Sequence, residues 1–153
     1  MKILLGREEI EKINQLCVMK NRLEEYFLDY PNRDLINSIC AKIRDYAIHS
    51  GDQEKLEAFV FEYFKLEKII VDSRNELIDR VQSKEFKEEK FLNRIRIKKE
   101  LKKAQKLTDK INMFEKEFFE RTNISLLRVE NERWAKQKQA EANEKSQTQQ
   151  IEQ

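Results

Sequence analysis

Glycine occurs twice and proline once in 153 residues, at Gly6, Gly51 and Pro31, and that scarcity governs everything the chain can fold into. Sheets need reversals built from Gly, Pro, Asn and Asp at special backbone angles. With only three Gly and Pro residues, a multi-stranded fold is hard to assemble. Lys, Glu, Leu, Arg, Gln and Ala dominate instead, and all favour helix. Charged residues make up 39% and hydrophobic residues another 39%, which leaves enough apolar surface for seams between helices rather than for a thick core. The expected class is all-α: an N-terminal three-helix antiparallel bundle followed by a long, basic, coiled-coil-like helix or helical hairpin.

Punctuation and periodicity divide the chain. A first helix is expected from near Arg7, with Glu8, Glu9 and Glu11 in its opening turns, and it ends before Pro31. Asn32 is placed to cap a second helix running to about His49. Gly51 sits where a left-handed terminal residue is wanted, and Asp52 can cap the next helix. Phe59, Tyr63, Leu66, Ile70, Ser73 and Leu77 then step by four and three along a long third helix. Residues 1–82 form the expected bundle. Residues 83–134 form the long amphipathic helix, started or merely crossed by Ser83, with its weakest stretch at Thr122-Asn123-Ile124-Ser125. Ser125 can cap a last segment carrying Leu126, Val129 and Trp134. Residues 135–153 are Gln-rich with little to bury, and a frayed or disordered tail is expected there.

The long helix carries the two features most relevant to function. Ala104, Leu107, Ile111, Phe114 and Phe118 step 3-4-3-4 below Ile97 and Leu101, a seam for another helix. Leu101, Leu107, Ile111, Phe114 and Phe118 are the candidate partner-binding residues. Folding the helix back on the bundle would bury the same side chains internally, and spacing does not distinguish the two arrangements. Adjacent positions on a helix diverge by about 100°, so Phe118 and Phe119 cannot share one seam and imply a second surface.

The second feature is charge. Residues 1–82 carry 13 basic and 16 acidic side chains, the remainder 18 and 13. The excess gathers in RIRIKKELKKAQK, residues 94–106. Arg94, Arg96, Lys98, Lys99, Lys102, Lys103, Lys106 and Lys110 are the candidate contacts for nucleic acid, an acidic partner or an anionic membrane. No aromatic residue lies between Phe91 and Phe114 to stack on bases. The plain alternative is a solvated helix face.

The only histidine stands in IRDYAIHS, residues 43–50. This resembles the signature of HEPN ribonucleases, helical-bundle proteins with an Arg, usually followed by Asn or Asp, and a His four to six residues further on; the Arg and His of two protomers meet at a dimer interface and cleave RNA without metal. The resemblance covers eight residues. It implies that Arg44 binds the scissile phosphate, Asp45 orients the site and His49 shuttles the proton. The chain departs from that pattern at Gly51, where an aromatic is usual, and in having only two helices before the motif. A regular helix also turns Arg44 and His49 about 140° apart. The structural alternative is a histidine that simply ends a helix, where it suits the dipole.

Phosphate loops, CxxC, HExxH and Ser/His/Asp sets are absent, so no metal, cofactor or catalytic group is expected outside the HEPN reading. Cys17 and Cys40 fall on apolar stripes and are expected as reduced core residues. MKILLG is too short for a signal peptide and no apolar run spans a membrane, which predicts an intracellular, cytoplasmic protein. Without secretion the Asn123-Ile124-Ser125 sequon has no use. The expected function is a non-enzymatic assembly or adaptor subunit that binds other proteins, or itself as a homo-oligomer. Nucleic-acid binding and a HEPN-like ribonuclease dimer are the alternatives.

Overall fold

The computed structural model describes residues 6–49 and 51–152, with side chains of the last helix described through Ser146. The MKILL start lies outside these residues. The described chain is all-helical: α1 (Arg7–Tyr26), α2 (Arg33–Ile48), α3 (Gln53–Gln82), α4 (Lys84–Glu88), α5 (Phe91–Thr122) and α6 (Leu126–Glu152).

Local chemistry sets the boundaries. Arg33 Nη1 donates to the carbonyls of Phe27 and Leu28, at 2.6 and 3.1 Å, and so covers acceptors that the end of α1 leaves open. Asn32 Oδ1 accepts from Leu35 N at 3.1 Å and starts α2. Gly51 makes the next reversal at φ +102°, which only glycine adopts without strain. Asp52 Oδ1 accepts from Glu54 N and Lys55 N to open α3. Ser83 both stops α3 and caps α4, its Oγ accepting from Phe86 N at 3.3 Å. Asn123 ends α5 in the left-handed region at φ 60°, and Ser125 Oγ accepts from Arg128 N as α6 begins.

The helices do not assemble as a three-helix bundle with an appendage. α1 packs on α2, α2 on α3, α3 on α5 and α5 back on α1, which makes an up-down-up-down ring of four. Leu16, Met19 and Leu23 of α1, with Phe27 just past its end, face Ile36, Ile39 and Ile43 of α2 and Phe59, Tyr63 and Leu66 of α3 within one continuous core. Into it α5 inserts Ile111, Phe114 and Phe118, all buried. Phe59 meets Phe118 at 5.6 Å between ring centres, and Tyr63 meets Phe114 at 5.3 Å. α6 adds Leu126 and Val129. The core therefore runs through the expected boundary at residues 82–83, because the apolar seam of α5 has α1 and α3 within reach and closes on them.

Length then dictates shape. α3 has 30 residues and α2 has 16. At 1.5 Å per residue α3 overhangs its neighbour by roughly 20 Å. The first turns of α5 accompany that overhang: Ser73, Glu76, Leu77 and Arg80 share a cleft with Glu100, Lys103, Ala104 and Leu107. Ile97 and Phe86 are buried there, outside the main core. The result is a two-helix arm, turned by α4 and projecting from one end of the bundle.

Two expectations change. Cys40 is buried but Cys17 is exposed, since the inward face of α1 is taken by Leu16 and Met19. The tail is helical through Glu152 rather than irregular, as its Ala, Glu, Lys and Gln content favours. Every described side chain from Ala135 to Ser146 is exposed, however, and Lys136 Nζ to Glu57 Oε1 at 3.0 Å ties it to the bundle. Phe118→Ala is expected to cost about 3–5 kcal/mol, lowering Tm by more than about 6 °C, whereas deleting residues from 139 onward should leave Tm within about 1 °C, both read by thermal unfolding.

Candidate docking and anion-binding surfaces

The residues assigned to a partner along α5 do not form a surface. Ile111, Phe114 and Phe118 are fully inside the core and Leu107 packs against it, while Leu101 is half-buried on the arm. Ile111, Phe114 and Phe118 are closed off by α1 and α3 of the same chain, while Leu101 and Leu107 stay partly accessible. Phe119 points the other way and is 49% exposed.

Among the exposed large hydrophobic residues, which also include Leu28, Ile48, Leu127 and Trp134, three cluster at the free end of the arm. Phe91, Leu92 and Ile95 are 66%, 78% and 36% exposed. They are spaced by three and four residues to Ile95 and so share one side of the first turn of α5. Arg94 holds its guanidinium 6.0 Å from the Phe91 ring centre, and Lys98 Nζ lies 5.9 Å from that of the buried Phe86. Of the other candidate cations, Arg96, Lys98, Lys99, Lys102, Lys103 and Lys106 are exposed, and Arg94 and Lys110 are intermediate.

The IRDYAIHS segment builds a helix end. α2 stays regular through Ile48, and His49 is its C-terminal cap, with its backbone N–H donating to Asp45 O. The His49 ring Nδ1 lies 3.1 Å from the same carbonyl and 3.5 Å from Asp45 Oδ1. Asp45 Oδ2 also accepts from Lys55 Nζ at 2.9 Å, and that hydrogen bond holds the Asp45 carboxyl below its usual range. Asp45 and Lys55 thus clasp the end of α2 to the start of α3. Arg44 is exposed, and the helix does not unwind between it and Ile48 to bring it round toward His49.

Polar pairs between distant helices are the part that spacing did not disclose. Glu117 accepts from Arg22 Nε at 3.0 Å, Arg121 Nε at 3.0 Å and Tyr26 Oη at 3.2 Å, locking α5 to α1. Burial pushes Glu117 up, but these donors outweigh it and hold the group below the usual carboxylate range. On the opposite side Tyr63 Oη donates to Glu115 Oε1 at 3.1 Å, beside Glu67. Burial, followed by the nearby Glu115 charge, raises Glu67 to about 7. Glu67 Oε2 is buried with no hydrogen-bond partner among the described residues. Glu130 of α6 adds negative charge at the same place, and is itself paired with Arg133 at 2.8 Å. Among the described residues no group of three or more His, Cys, Asp or Glu side chains is arranged to hold a metal ion. None of the described helices is long and apolar enough to cross a membrane.

The carboxyl pair has a pH signature. Between the ordinary Glu value and about 7 the folded chain retains a proton that the unfolded chain has released. That contribution to stability is complete below the ordinary carboxylate range and is lost as pH rises through 7. Glu117 acts in the opposite sense, losing its contribution as pH falls through its lowered value. Tm is therefore expected to decline from about pH 5 to about pH 8, and Glu67→Gln to recover about 2–4 °C at the upper end. A wild-type profile that is flat over that range, followed by differential scanning calorimetry, contradicts the assignment. No protein-family model, curated protein or solved structure matches the chain.

Proposed function

We propose that the chain is a non-enzymatic helical adaptor, an assembly subunit whose bundle is a base and whose arm docks partner proteins. The observation that carries this reading is the uncovered cluster of Phe91, Leu92 and Ile95 at the end of a projecting two-helix arm. Contiguous apolar surface rimmed by charge is typical of interaction sites, and an isolated exposed leucine is not. Aromatic and aliphatic anchors supply most of the energy at such contacts. Lys84, Lys87 and Lys90 alternate with Glu85, Glu88 and Glu89 close by in sequence, a charged rim of both signs that suits a partner with an apolar groove and a polar margin.

Other observations agree with a role in assembly. The core uses its aromatic and aliphatic side chains to close four helices. Asp45, which a ribonuclease would use to orient its site, is committed to Lys55 instead. The seam on α5 contributes indirectly: by anchoring α5 to α1 and α3 it gives the arm a rigid root.

The full chain carrying an affinity tag is expected to retain partner proteins from its native extract. Phe91→Asp combined with Leu92→Asp should abolish that retention while leaving Tm unchanged, whereas Ile111→Asp should unfold the chain. Retention of the same partners by the double variant overturns the reading.

A further inference from the structure

A cleft of about 510 Å³ opens where the arm leaves the bundle. One wall is the end of α1 and the turn after it, with Tyr26, Asp29, Tyr30 and Pro31; the other is α5, with Lys103, Lys106, Leu107 and Lys110. The aromatic residues missing from the basic stretch of sequence are thus supplied from some 75 residues away by the packing of α1 on α5. Both rings are held in place. Tyr30 lies at 80° to Phe27 with ring centres 6.1 Å apart. Tyr26 donates its hydroxyl to Glu117 and sits 5.6 Å from the Arg22 guanidinium.

The cations on the other wall are unspent. Among the described residues, Lys103, Lys106 and Lys110 have no ion-pair partner, although ion pairs are plentiful elsewhere on the surface. Lys99 continues the row, so that Lys99, Lys103, Lys106 and Lys110 step by four, three and four along one side of α5. Eleven residues of helix make that row about 16 Å long. A linear row of free ammonium groups beside a recessed aromatic wall suits a strand that offers regularly spaced phosphates and unpaired flat rings.

We propose that this cleft binds single-stranded nucleic acid, with phosphates along Lys99, Lys103, Lys106 and Lys110 and a base lodged against Tyr30. Positive grooves with aromatic platforms hold single strands in this way, with little preference for sequence. A duplex hides its base faces, a bilayer is flat where the site is recessed, and an acidic peptide brings charge without rings. The Asp29 carboxylate on the same wall is an acceptor for a base amino or sugar hydroxyl group. The cleft and the end of the arm are different surfaces, so this proposal does not rest on the adaptor reading.

The test is fluorescence anisotropy of the full chain with labelled oligouridylate, with a duplex of equal length, anionic phospholipid vesicles and polyglutamate as rivals. Oligouridylate is expected to bind best, with log affinity falling against log salt at a slope of about −2 to −3 for three to four lysine contacts. Lys103→Glu with Lys106→Glu should abolish binding. Tyr30→Leu should weaken it by about fivefold or more at an unchanged salt slope, and Tyr30→Phe should retain it, because stacking uses the ring and not the hydroxyl. Absence of oligouridylate binding overturns the proposal. So does equal affinity for duplex or vesicles, effective competition by polyglutamate, or indifference to Tyr30→Leu in a variant that melts like the wild type.

Discussion

The contact between α5 and α3 is the one on which the rest of the molecule depends. Phe114 and Phe118 lie against Tyr63 and Phe59, with Ile111 beside them, and all five side chains are buried. Each such side chain contributes about 1.5–3 kcal/mol when removed from water. Removing α5 would expose one flank of α1 and one of α3 together. Because this seam is satisfied within the chain, the bundle is closed, and what remains for other molecules is what the closed bundle leaves outside. The overhang of α3 and the start of α5 is one such remainder, and the exposed length of α6 is another.

Polar contacts set the orientation of that packing. Glu117 gathers Arg22, Arg121 and Tyr26 on one side of α5, and Tyr63 reaches Glu115 on the other. The first cluster is well supplied with donors. The second has fewer, and Glu67 Oε2 is buried beside Glu115 with no hydrogen-bond partner among the described residues. A neutral residue at 67 would serve stability better, so the carboxyl is a site where the fold tolerates local cost. It also places the docking of α6, through Leu126, Val129 and the Glu130–Arg133 pair, beside a group that titrates near neutrality.

What could be read in the sequence was local. Asn32, Gly51, Asp52, Ser83 and Ser125 announce helix ends because each cap acts over three or four residues, and all five serve in that way or bound a helix as expected. The 3-4-3-4 rhythm from Ala104 to Phe118 likewise marked a face that must be covered. Which molecule covers it was not legible, since a seam reads the same whether its partner is in cis or in trans. Arg22–Glu117 and Tyr63–Glu115 join positions 95 and 52 residues apart, and no periodicity encodes such pairs. The same blindness hid the cleft: Tyr30 and Lys106 become neighbours only through helix packing. Cys17 shows the converse error, where a stripe drawn one residue too wide placed an exposed thiol in the core.

Residue-resolved amide hydrogen exchange under native conditions tests most directly whether α5 is the fourth wall of a self-contained bundle. Amides of residues 108–118 should be as strongly protected as those of residues 59–66, with protection unchanged on dilution, because both helices open only when the whole core opens. Weaker protection confined to α5, or protection that falls as the protein is diluted, would contradict the account and return the α5 seam to a partner.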